Sequence, residues 1–420
     1  MTDAIDQISY ADLYSRWEQG NWRATQLDFS QDRIDWRERF TEKQRRAALW
    51  NYALFLHGED TVADTLSPYI DAAPREEQKY FLATQQVDEA RHAVFFARFM
   101  REVVEDGADS IGGSLDRSQP ELTWGFRQLF ALLERTADEL RRDRSRPRLA
   151  AAVALYHFVV EATVAQTGQH FIDSYLERDG LLPGFHEGMG NVARDEQRHV
   201  AFGVKLVSDL VREDPECKDS IAEIVREGLQ YAVALFIPPN WDSSYIELFG
   251  ATLEDLYERA LTSLKARLRA AGIPLEELPG AFPLPPDLSS REQAELGIKL
   301  VRANVLGERT GPPSRDPEIQ ALVFDAVRLS VDPRHASNGP TTIQWDFTDL
   351  QPWHLRIENG STSAAPGRIE DPDLTLRCSY DDWVELAIDR RDPRLAVLTG
   401  KLRPRGKLRA LWRAQSLFAR

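Results

Sequence analysis

Two short segments, Asp88-Glu89-Ala90-Arg91-His92 and Asp195-Glu196-Gln197-Arg198-His199, repeat one order of acid, arginine and histidine. Their apolar neighbours recur at helical spacing and predict two long helices, over about 74–104 and about 184–211. Residues three apart on a helix lie on the same face, so each segment can direct one carboxylate and one imidazole to a single point. The repeat therefore predicts two helices that contribute matching polar groups to one site.

Two further long helices are predicted, and each carries one glutamate in an apolar stretch. The first begins after the capping-box pattern at Thr41 and passes Glu59. The second follows Pro147, extends to about Tyr175 and contains Glu161; it is apolar almost all round, as expected for the centre of a bundle. A lone carboxylate buried there would cost several kcal/mol, so Glu161 indicates a compensating charge.

The order Glu, Glu-x-x-His, Glu, Glu-x-x-His is the ligand pattern of ferritin-like di-iron and di-manganese carboxylate bundles. A single Glu-x-x-His is usually only a solvated or salt-bridged pair, but two copies with two interior glutamates favour a metal centre. Four ionised carboxylates neutralise two divalent ions, which offsets the cost of burying six polar groups. The pattern predicts two ions about 3.5 to 4 Å apart, and oxygen-rich ligation favours Fe or Mn over Zn or Cu(I). The predicted ligands are Glu59, Glu89, His92, Glu161, Glu196 and His199.

Neighbouring polar residues are candidates for orienting these ligands. Asp88 and Asp195 precede the glutamates of the two motifs and can accept a hydrogen bond from the distal N–H of a ligating histidine. For Asp88, a surface position beside Arg91 is an open alternative. His157 lies one turn before Glu161, and we expect it to be a hydrogen-bond partner and not an additional ligand.

Composition and charge restrict the class of protein. The chain has 420 residues and a net charge of −15, so a nucleic-acid partner is not expected. Two cysteines, Cys217 and Cys378, exclude a disulfide framework and fit a reducing compartment. The first ten residues carry no apolar run, and no stretch reaches the roughly 18 uninterrupted apolar residues of a membrane span. We therefore expect a cytoplasmic protein without a transmembrane segment.

The pattern changes in the last third of the chain. Five prolines between Ile273 and Asp287 predict a linker or surface crossing. Helices are then predicted over about 291–306 and 317–329, followed by short strands over 341–347, 353–358 and 374–379. The expected architecture is multidomain, with an all-α ferritin-like four-helix bundle at residues 1–290, a helical linker at 291–310 and a small α+β domain at 311–420.

Residues 10 to 270 resemble the ribonucleotide reductase small-subunit superfamily, and most closely its ligand-binding oxidases. The motifs are Leu27 to Asp32 with Trp36, Gly58 to Val62, the two repeated segments, and Ala201-Phe202-Gly203. The resemblance implies an O2-activating oxidase with an Fe/Fe or Mn/Fe centre, a hydrophobic or fatty-acyl ligand beside that centre, and a homodimer. It also places the family's Tyr-Val ether cross-link on Tyr156 and Val62, for which plain packing in a helical core is the alternative.

The resemblance leaves two other interpretations open. A radical-generating reductase subunit usually keeps a tyrosine where this chain has Phe96, and it ends in a flexible tail with a tyrosine, which is not evident here. Reductase function is therefore disfavoured, although relatives with phenylalanine and a mixed Mn/Fe centre exist. A non-catalytic, metal-containing lipid carrier is the other alternative.

The last 105 or so residues resemble a sterol-carrier-protein-like fold. The matching segments are Trp353 to Gly360, Asp373 to Leu376, Ser379 to Trp383, and Leu398 to Leu402 with Gly406. This resemblance implies a hydrophobic cavity between sheet and helices and no catalysis. Arg390 to Arg420 contains ten Lys or Arg and one acid, Asp392. We interpret this stretch as a solvated basic face, with contact to anionic lipid or to the acidic bundle as the alternative.

Overall fold

The computed structural model describes residues 8–278, 280–332, 336, 340–388, 391–407, 409–411 and 414. Part of the N-terminal stretch used to exclude a signal peptide therefore lies outside the described residues. The chain divides into two compact units, Met1–Pro274 and Leu275–Arg420. The domain limits at residues 290 and 310 stay a prediction.

The first unit is a helical bundle. Its α-helices are α1 Tyr10–Gln19, α2 Ser30–Glu38, α3 Glu42–Thr65, α4 Ser67–Ala72, α5 Glu76–Phe99, α6 Ile111–Ser118, α7 Trp124–Arg142, α8 Arg146–Val153, α9 Gln166–Asp179, α10 Pro183–Glu213, α11 Cys217–Ala232, α12 Ser244–Glu247 and α13 Leu253–Ala270. Short 3-10 turns occur at Ala24–Gln26, Gln119–Glu121 and Pro239–Trp241. Two π-helical stretches, Met100–Val104 and Ala154–Ala165, continue α5 and join α8 to α9. The four long predicted helices are confirmed, whereas α1, α2, α4, α6, α7, α11 and α12 were not predicted.

Side-chain caps fix where two of the bundle helices begin. At the start of α3, the Thr41 hydroxyl accepts from the Gln44 amide, and the Gln44 side chain accepts from the Thr41 amide. At the start of α10, Asp32 of α2 accepts from the backbone N–H groups of Gly184 and Phe185 at 2.9 and 2.7 Å. A carboxylate there satisfies the free N–H groups and complements the helix dipole. Helix α2 therefore fixes the N-terminal end of α10.

The helical segment Arg146–Asp179 is long enough and apolar enough to cross a membrane. However, 89% of its most apolar 18-residue stretch is buried inside the protein. The sequence predicted one continuous helix here. The structure instead has a π-helical middle, in which the Gln166 N–H donates to the Glu161 carbonyl five residues back and the Thr163 hydroxyl donates to the Phe158 carbonyl at 2.6 Å. Because nearly every residue in this stretch is apolar, its periodicity could not reveal the wider turn.

Helix α10 passes the π-helical stretch at Gly203. A Cβ added to Gly203 would lie 2.3 Å from the Cβ of His157, which is far inside van der Waals contact. The absence of a side chain at this position therefore sets how closely the two rods approach. On the same helix, Gly190 faces open space, with no atom within 4 Å of an added Cβ.

The second unit is an α+β fold, as predicted. Its helices are α14 Ser290–Arg302, α15 Pro317–Leu329, α16 Tyr380–Ala387 and α17 Pro393–Leu398, with a 3-10 turn at Leu275–Glu277. Its strands are β1 Thr341–Phe347, β2 Trp353–Glu358, β3 Ser361–Pro366, β4 Leu374–Cys378 and β5 Arg403–Gly406. The strand order is β3-β2-β1-β4-β5, with β1 and β4 parallel and the other pairs antiparallel.

The two edge strands were not predicted. Strand β3 reads Ser-Thr-Ser-Ala-Ala-Pro and β5 reads Arg-Pro-Arg-Gly, compositions with little β-branched or aromatic content. Edge strands tolerate such residues because only one side of the strand is paired. The central strands have the expected composition and were predicted to within one residue.

Aromatic rings fill part of the space between the sheet and the helices of the second unit. Phe324 of α15 stacks between Trp353 of β2, with ring centroids 4.4 Å apart, and Trp383 of α16, at 5.0 Å. All three rings are buried. Stacked rings of this size contribute large apolar area to the core, so this part of the interior is occupied by the protein's own side chains.

Gly203→Ala should destabilise the first unit. The added methyl group overpacks the contact with His157, which typically costs about 1–3 kcal/mol. Gly190→Ala is the matched control on the same helix, and it should be neutral or stabilise by up to about 1 kcal/mol because alanine favours a helix over glycine. Chemical unfolding of both variants measures the difference. Equal unfolding midpoints would contradict the close approach at Gly203.

Candidate metal centre

The structure brings all six predicted ligands to one buried place between the four long helical segments, which are α3, α5, Arg146–Asp179 and α10. Their ligand atoms form two groups, each with all atoms within 4.8 Å of one another, and every member is buried. The first group is Glu59, Glu89, His92 and Glu196; the second is Glu89, Glu161, Glu196 and His199. Two glutamates belong to both groups, so the arrangement has room for two ions with shared carboxylates.

Both histidines turn the same ring nitrogen towards the carboxylates. His92 Nδ1 lies 3.1 Å from Glu59 Oε2 and 3.6 Å from Glu89 Oε2. His199 Nδ1 lies 3.1 Å from Glu89 Oε1 and 3.5 Å from Glu161 Oε1. The two halves of the site therefore have the same composition, since each contains one imidazole and several carboxylate oxygens.

The opposite nitrogen of each histidine bonds to the aspartate of the other motif. His92 Nε2 donates to Asp195 at 3.1 Å, and His199 Nε2 donates to Asp88 at 3.1 Å. The predicted hydrogen bonds from the two histidines to the two aspartates are thus confirmed, and the pairing runs crosswise between α5 and α10. The surface alternative for Asp88 is wrong, because its side chain is buried.

Two arginines and two tryptophans hold these aspartates. Arg91 and Arg198 each form ion pairs with both aspartates, for example at 2.9 Å from Arg91 to the second motif and 3.2 Å from Arg198 to the first. Trp17 Nε1 donates to the aspartate of the first motif at 2.9 Å, and Trp22 Nε1 to that of the second at 2.8 Å. The N-terminal segment is thereby fastened to the site.

The residues fit a pair of cations. Nδ1 of each histidine faces carboxylate oxygens, and a neutral imidazole that donates from Nε2 presents at Nδ1 the lone pair that a metal ion requires. Glu161 Oε2, Glu196 Oε2 and His199 Nδ1 are buried and have no hydrogen-bond partner. Buried polar atoms of this kind are rare in proteins, and metal coordination satisfies all of them.

The electrostatics of the glutamates agree with this. Burial and then the negative charge of Glu196 raise the pKa of Glu161 to about 8. Burial also raises the pKa of Glu59 well above its usual range. Burial acts in the same direction on Glu89, but the neighbouring histidines outweigh it and lower the pKa of this carboxyl. Carboxyl groups this strongly desolvated need positive partners to remain ionised together.

A hydrogen-bonded chain lies beside the second half of the site. The Tyr156 hydroxyl donates to Glu89 Oε1 at 2.6 Å and accepts from Gln85 Nε2 at 2.9 Å. The same amide nitrogen donates to Glu161 Oε1 at 2.9 Å, and His157 Nε2 lies 3.2 Å from Gln85 Oε1. The expectation that His157 is a hydrogen-bond partner is confirmed, and burial lowers the pKa of this histidine to about 3, so it is neutral.

The π-helical stretch places Tyr156 beside Glu161. In an α-helix, residues five apart point about 140° away from each other, since each residue turns the helix by about 100°. A π-helix bonds each residue to the one five positions away, so residues five apart lie nearly above one another. The π-helical turn therefore allows both side chains to reach the site.

Three polar residues at the site were missed by the sequence analysis. Gln85 precedes Glu89 by four residues and so lies on the same face of α5, a spacing that could have identified it. Trp17 and Trp22 lie far from the motifs in the chain, and nothing in their spacing links them to the site. Only the folded structure shows their contacts.

A largely apolar cavity adjoins the site. Glu59, Glu89, Glu161 and Glu196 line it, and both Tyr156 and Val62 are also part of its wall. The remaining lining residues are Asn51, Leu54, Phe55, Gly58, Phe126, Phe130, Val160, Val164, Ala165, Gly168, Leu235 and Phe236.

Comparisons with known proteins agree with the resemblances found in the motifs. Residues 4–236 match the family model of the ribonucleotide reductase small chain, and residues 329–419 match that of the SCP-2 sterol transfer family. Among similar solved structures is an R2-like ligand-binding oxidase from Sulfolobus acidocaldarius, with 24% identity, a TM-score of 0.53, and coverage of 68% of this chain and 93% of that chain. Two variants of an R2-like ligand-binding oxidase with a Mn/Fe cofactor are also similar. One variant has 25% identity and a TM-score of 0.53, and the match covers 64% of this chain and 94% of that chain. The other has 23% identity and a TM-score of 0.54, and the match covers 63% of this chain and 94% of that chain.

Asp195→Asn should weaken metal binding. The amide cannot act as the ionised acceptor that holds the His92 ring, and loss of such a partner typically lowers metal affinity by about 10- to 100-fold. Competition with a chelator, followed by Mn and Fe analysis, measures this affinity. Asp209→Asn is the matched control, because Asp209 is also buried on α10 but accepts from the Tyr10 hydroxyl and lies outside the cluster. Equal metal affinity in the Asp195 variant and the unaltered protein would refute the crosswise pairing.

Proposed function

The chain belongs to the ribonucleotide reductase small-chain family, and from this we propose that it is an O2-dependent oxidase. Its metal ligands would be Glu59, Glu89, His92, Glu161, Glu196 and His199, and its cofactor two metal ions, Fe/Fe or Mn/Fe. Its substrate would be a hydrophobic or fatty-acyl molecule held in the adjoining cavity. The fold shared with R2-like ligand-binding oxidases supports this choice within the family.

One observation carries the proposal. Four of the six ligand residues form part of the wall of a cavity whose other lining is almost entirely apolar. An ion held by these carboxylates is then adjacent to whatever occupies the cavity, and a molecule bound there is within reach of the redox centre. A storage site or a purely structural metal site would have no need for such an opening.

Two bound ions would supply the electrons and the Lewis acidity for dioxygen reduction. The chain's own residues position and shield the reaction. Phe55, Phe126 and Phe130 make the cavity wall beside the site apolar, and apolar surroundings strengthen electrostatic interactions at the site. The Tyr156 hydroxyl, fixed between Glu89 and Gln85, holds a proton at the cavity wall.

The lining residues also restrict the substrate. Within the described part of the chain, the cavity wall contains no lysine, arginine or histidine, and its polar groups apart from the glutamates are Asn51 and Tyr156. An acyl chain or another hydrophobic molecule fits such a wall, whereas a highly charged substrate would lose its hydration without compensation. The SCP-2 match of the second unit supports a lipid-like substrate in the same chain.

A radical subunit of a reductase is the second candidate within the family. Phe96 is buried and stacks on Phe55 at a ring distance of 5.4 Å. A phenylalanine at this position has no hydroxyl to lose a proton and an electron, so it cannot hold a stable phenoxyl radical. This favours the oxidase.

The two cysteines are buried free thiols, which supports the cytoplasm as the compartment.

Glu161→Ala should lower the content of the second metal and abolish oxygen consumption. The substitution removes one carboxylate of the second group and leaves Glu89, Glu196 and His199. Metal analysis and an oxygen electrode, applied to protein loaded with Fe(II) and Mn(II), measure both effects. Glu187→Ala, an exposed glutamate of α10, is the control and should behave like the unaltered protein. If the Glu161 variant retains full oxygen consumption, the ligand assignment is wrong.

The same samples separate an oxidase from a lipid carrier. Mass spectrometry of small molecules extracted after exposure to dioxygen should show an oxygenated product from the unaltered protein and unmodified ligand from the Glu161 variant. A carrier would give unmodified lipid from both.

Tyr156 and Val62 are also proposed to form an ether cross-link, because both line the cavity beside the carboxylates. The reaction removes the phenolic hydrogen and the Val62 Cβ hydrogen, forms an O–C bond, and passes two electrons to dioxygen. Intact-mass analysis of metal-loaded, oxygen-exposed protein should show the loss of two hydrogens, and Tyr156→Phe should prevent it. An unchanged mass in the unaltered protein would support plain packing of the two side chains.

A further inference from the structure

Three large apolar side chains lie exposed within four consecutive residues of the second unit. Leu395, Val397 and Leu398 of α17 have exposed fractions of 56%, 44% and 84%, whereas Ala396 between them is fully buried. Single exposed apolar residues are ordinary, but a contiguous set marks an interaction surface. Burial of Ala396 anchors the helix and leaves its neighbours directed to solvent.

Exposed arginines precede and follow these apolar residues in the chain. After α17 the chain folds back, with the Leu402 N–H donating to the Ala396 carbonyl at 3.0 Å. It then enters the edge strand β5, where Arg403 and Arg405 are two residues apart and therefore lie on the same face of the strand. Arg394 precedes the apolar residues on α17 and is also exposed. We call this surface the α17–β5 tip, defined by Leu395, Val397, Leu398, Arg394, Arg403 and Arg405.

The arginines of the tip carry net positive charge. Among the described residues, Arg394, Arg403 and Arg405 form no ion pair with a carboxylate. Nearby Arg391 and Lys401 differ, since both pair with Asp382. The whole chain has a charge of −15, yet Arg390 to Arg420 has ten Lys or Arg against one acid; Arg390, Arg413 and Arg420 lie outside the described residues. Charge is therefore separated along the chain, with the positive end at the tip.

The combination of exposed leucines and unpaired arginines identifies the partner by its chemistry. Nucleic acid would pair with the arginines but leave the leucines in water. A second copy of the tip would bring like charges together. An anionic bilayer satisfies both groups, because phosphate headgroups bind the arginines while the apolar side chains enter the interface.

We propose that the α17–β5 tip docks the protein peripherally on anionic lipid bilayers. Leu395 and Leu398 insert at the level of the headgroups, and Arg394, Arg403 and Arg405 bind lipid phosphates around them. The docking does not depend on the oxidase reaction, so the two proposals can fail separately.

Co-sedimentation of the full chain with lipid vesicles tests the proposal. The protein should bind vesicles of phosphatidylcholine with phosphatidylglycerol and bind vesicles of phosphatidylcholine alone much more weakly, and added salt should reduce binding. The double substitution of Leu395→Asp and Leu398→Asp should lower vesicle affinity at least about tenfold, since it removes the inserted surface. Arg403→Glu with Arg405→Glu should lower it by about fivefold or more per residue.

Two exposed residues of the first unit provide matched controls. Ile34 is 48% exposed, and Ile34→Asp is the control for the leucine substitutions. Arg142 is also exposed, and Arg142→Glu is the control for the arginine substitutions. Both control variants should bind vesicles like the unaltered protein. Thermal unfolding verifies that every variant is folded. Absence of binding that depends on phosphatidylglycerol, or equal loss in controls and tip variants, would overturn the proposal. A dimer that the leucine substitutions dissociate without changing vesicle binding would also overturn it and assign the tip to a second copy of the chain.

Discussion

Four carboxylates buried together are the constraint on which the helical unit depends. Around them, the two aspartates and two arginines of the repeated motifs compensate one another in a closed set of ion pairs. With all four glutamates ionised, the inner cluster would carry four negative charges, and Nδ1 of both histidines faces these carboxylates. Two divalent cations supply the charge that the chain itself lacks. Burial without them would be strongly unfavourable.

The crosswise histidine-aspartate pairing explains how the site is held together. Because each motif orients the imidazole of the other, α5 and α10 cannot shift relative to one another without breaking hydrogen bonds in both halves. Trp17 and Trp22 extend this network to the N-terminal segment, and Asp32 ties α2 to the start of α10. The π-helical stretch adds Tyr156 to the ligands. Helices far apart in sequence are thus joined at the site by hydrogen bonds and ion pairs.

The four long helices and all six clustered residues could be predicted from sequence, because the spacing of Glu-x-x-His and the apolar context of Glu161 have direct physical meanings. The π-helical turn could not, since an apolar stretch shows no face to reveal its period. Gln85 was accessible by its helical spacing but was not recognised. In the second unit, the central strands have strong β-forming composition, whereas β3 and β5 are edge strands whose residues are typical of loops.

We propose redox chemistry in the interior of the first unit and lipid docking on a surface of the second. The most direct test of the central claim is X-ray diffraction from crystals of the Fe- and Mn-loaded protein, recorded at the absorption edges of both metals. Two anomalous peaks are expected between the four long helices, one bounded by His92 and Glu59, the other by His199 and Glu161. No peak at this place, or metal bound only at the protein surface, would contradict it.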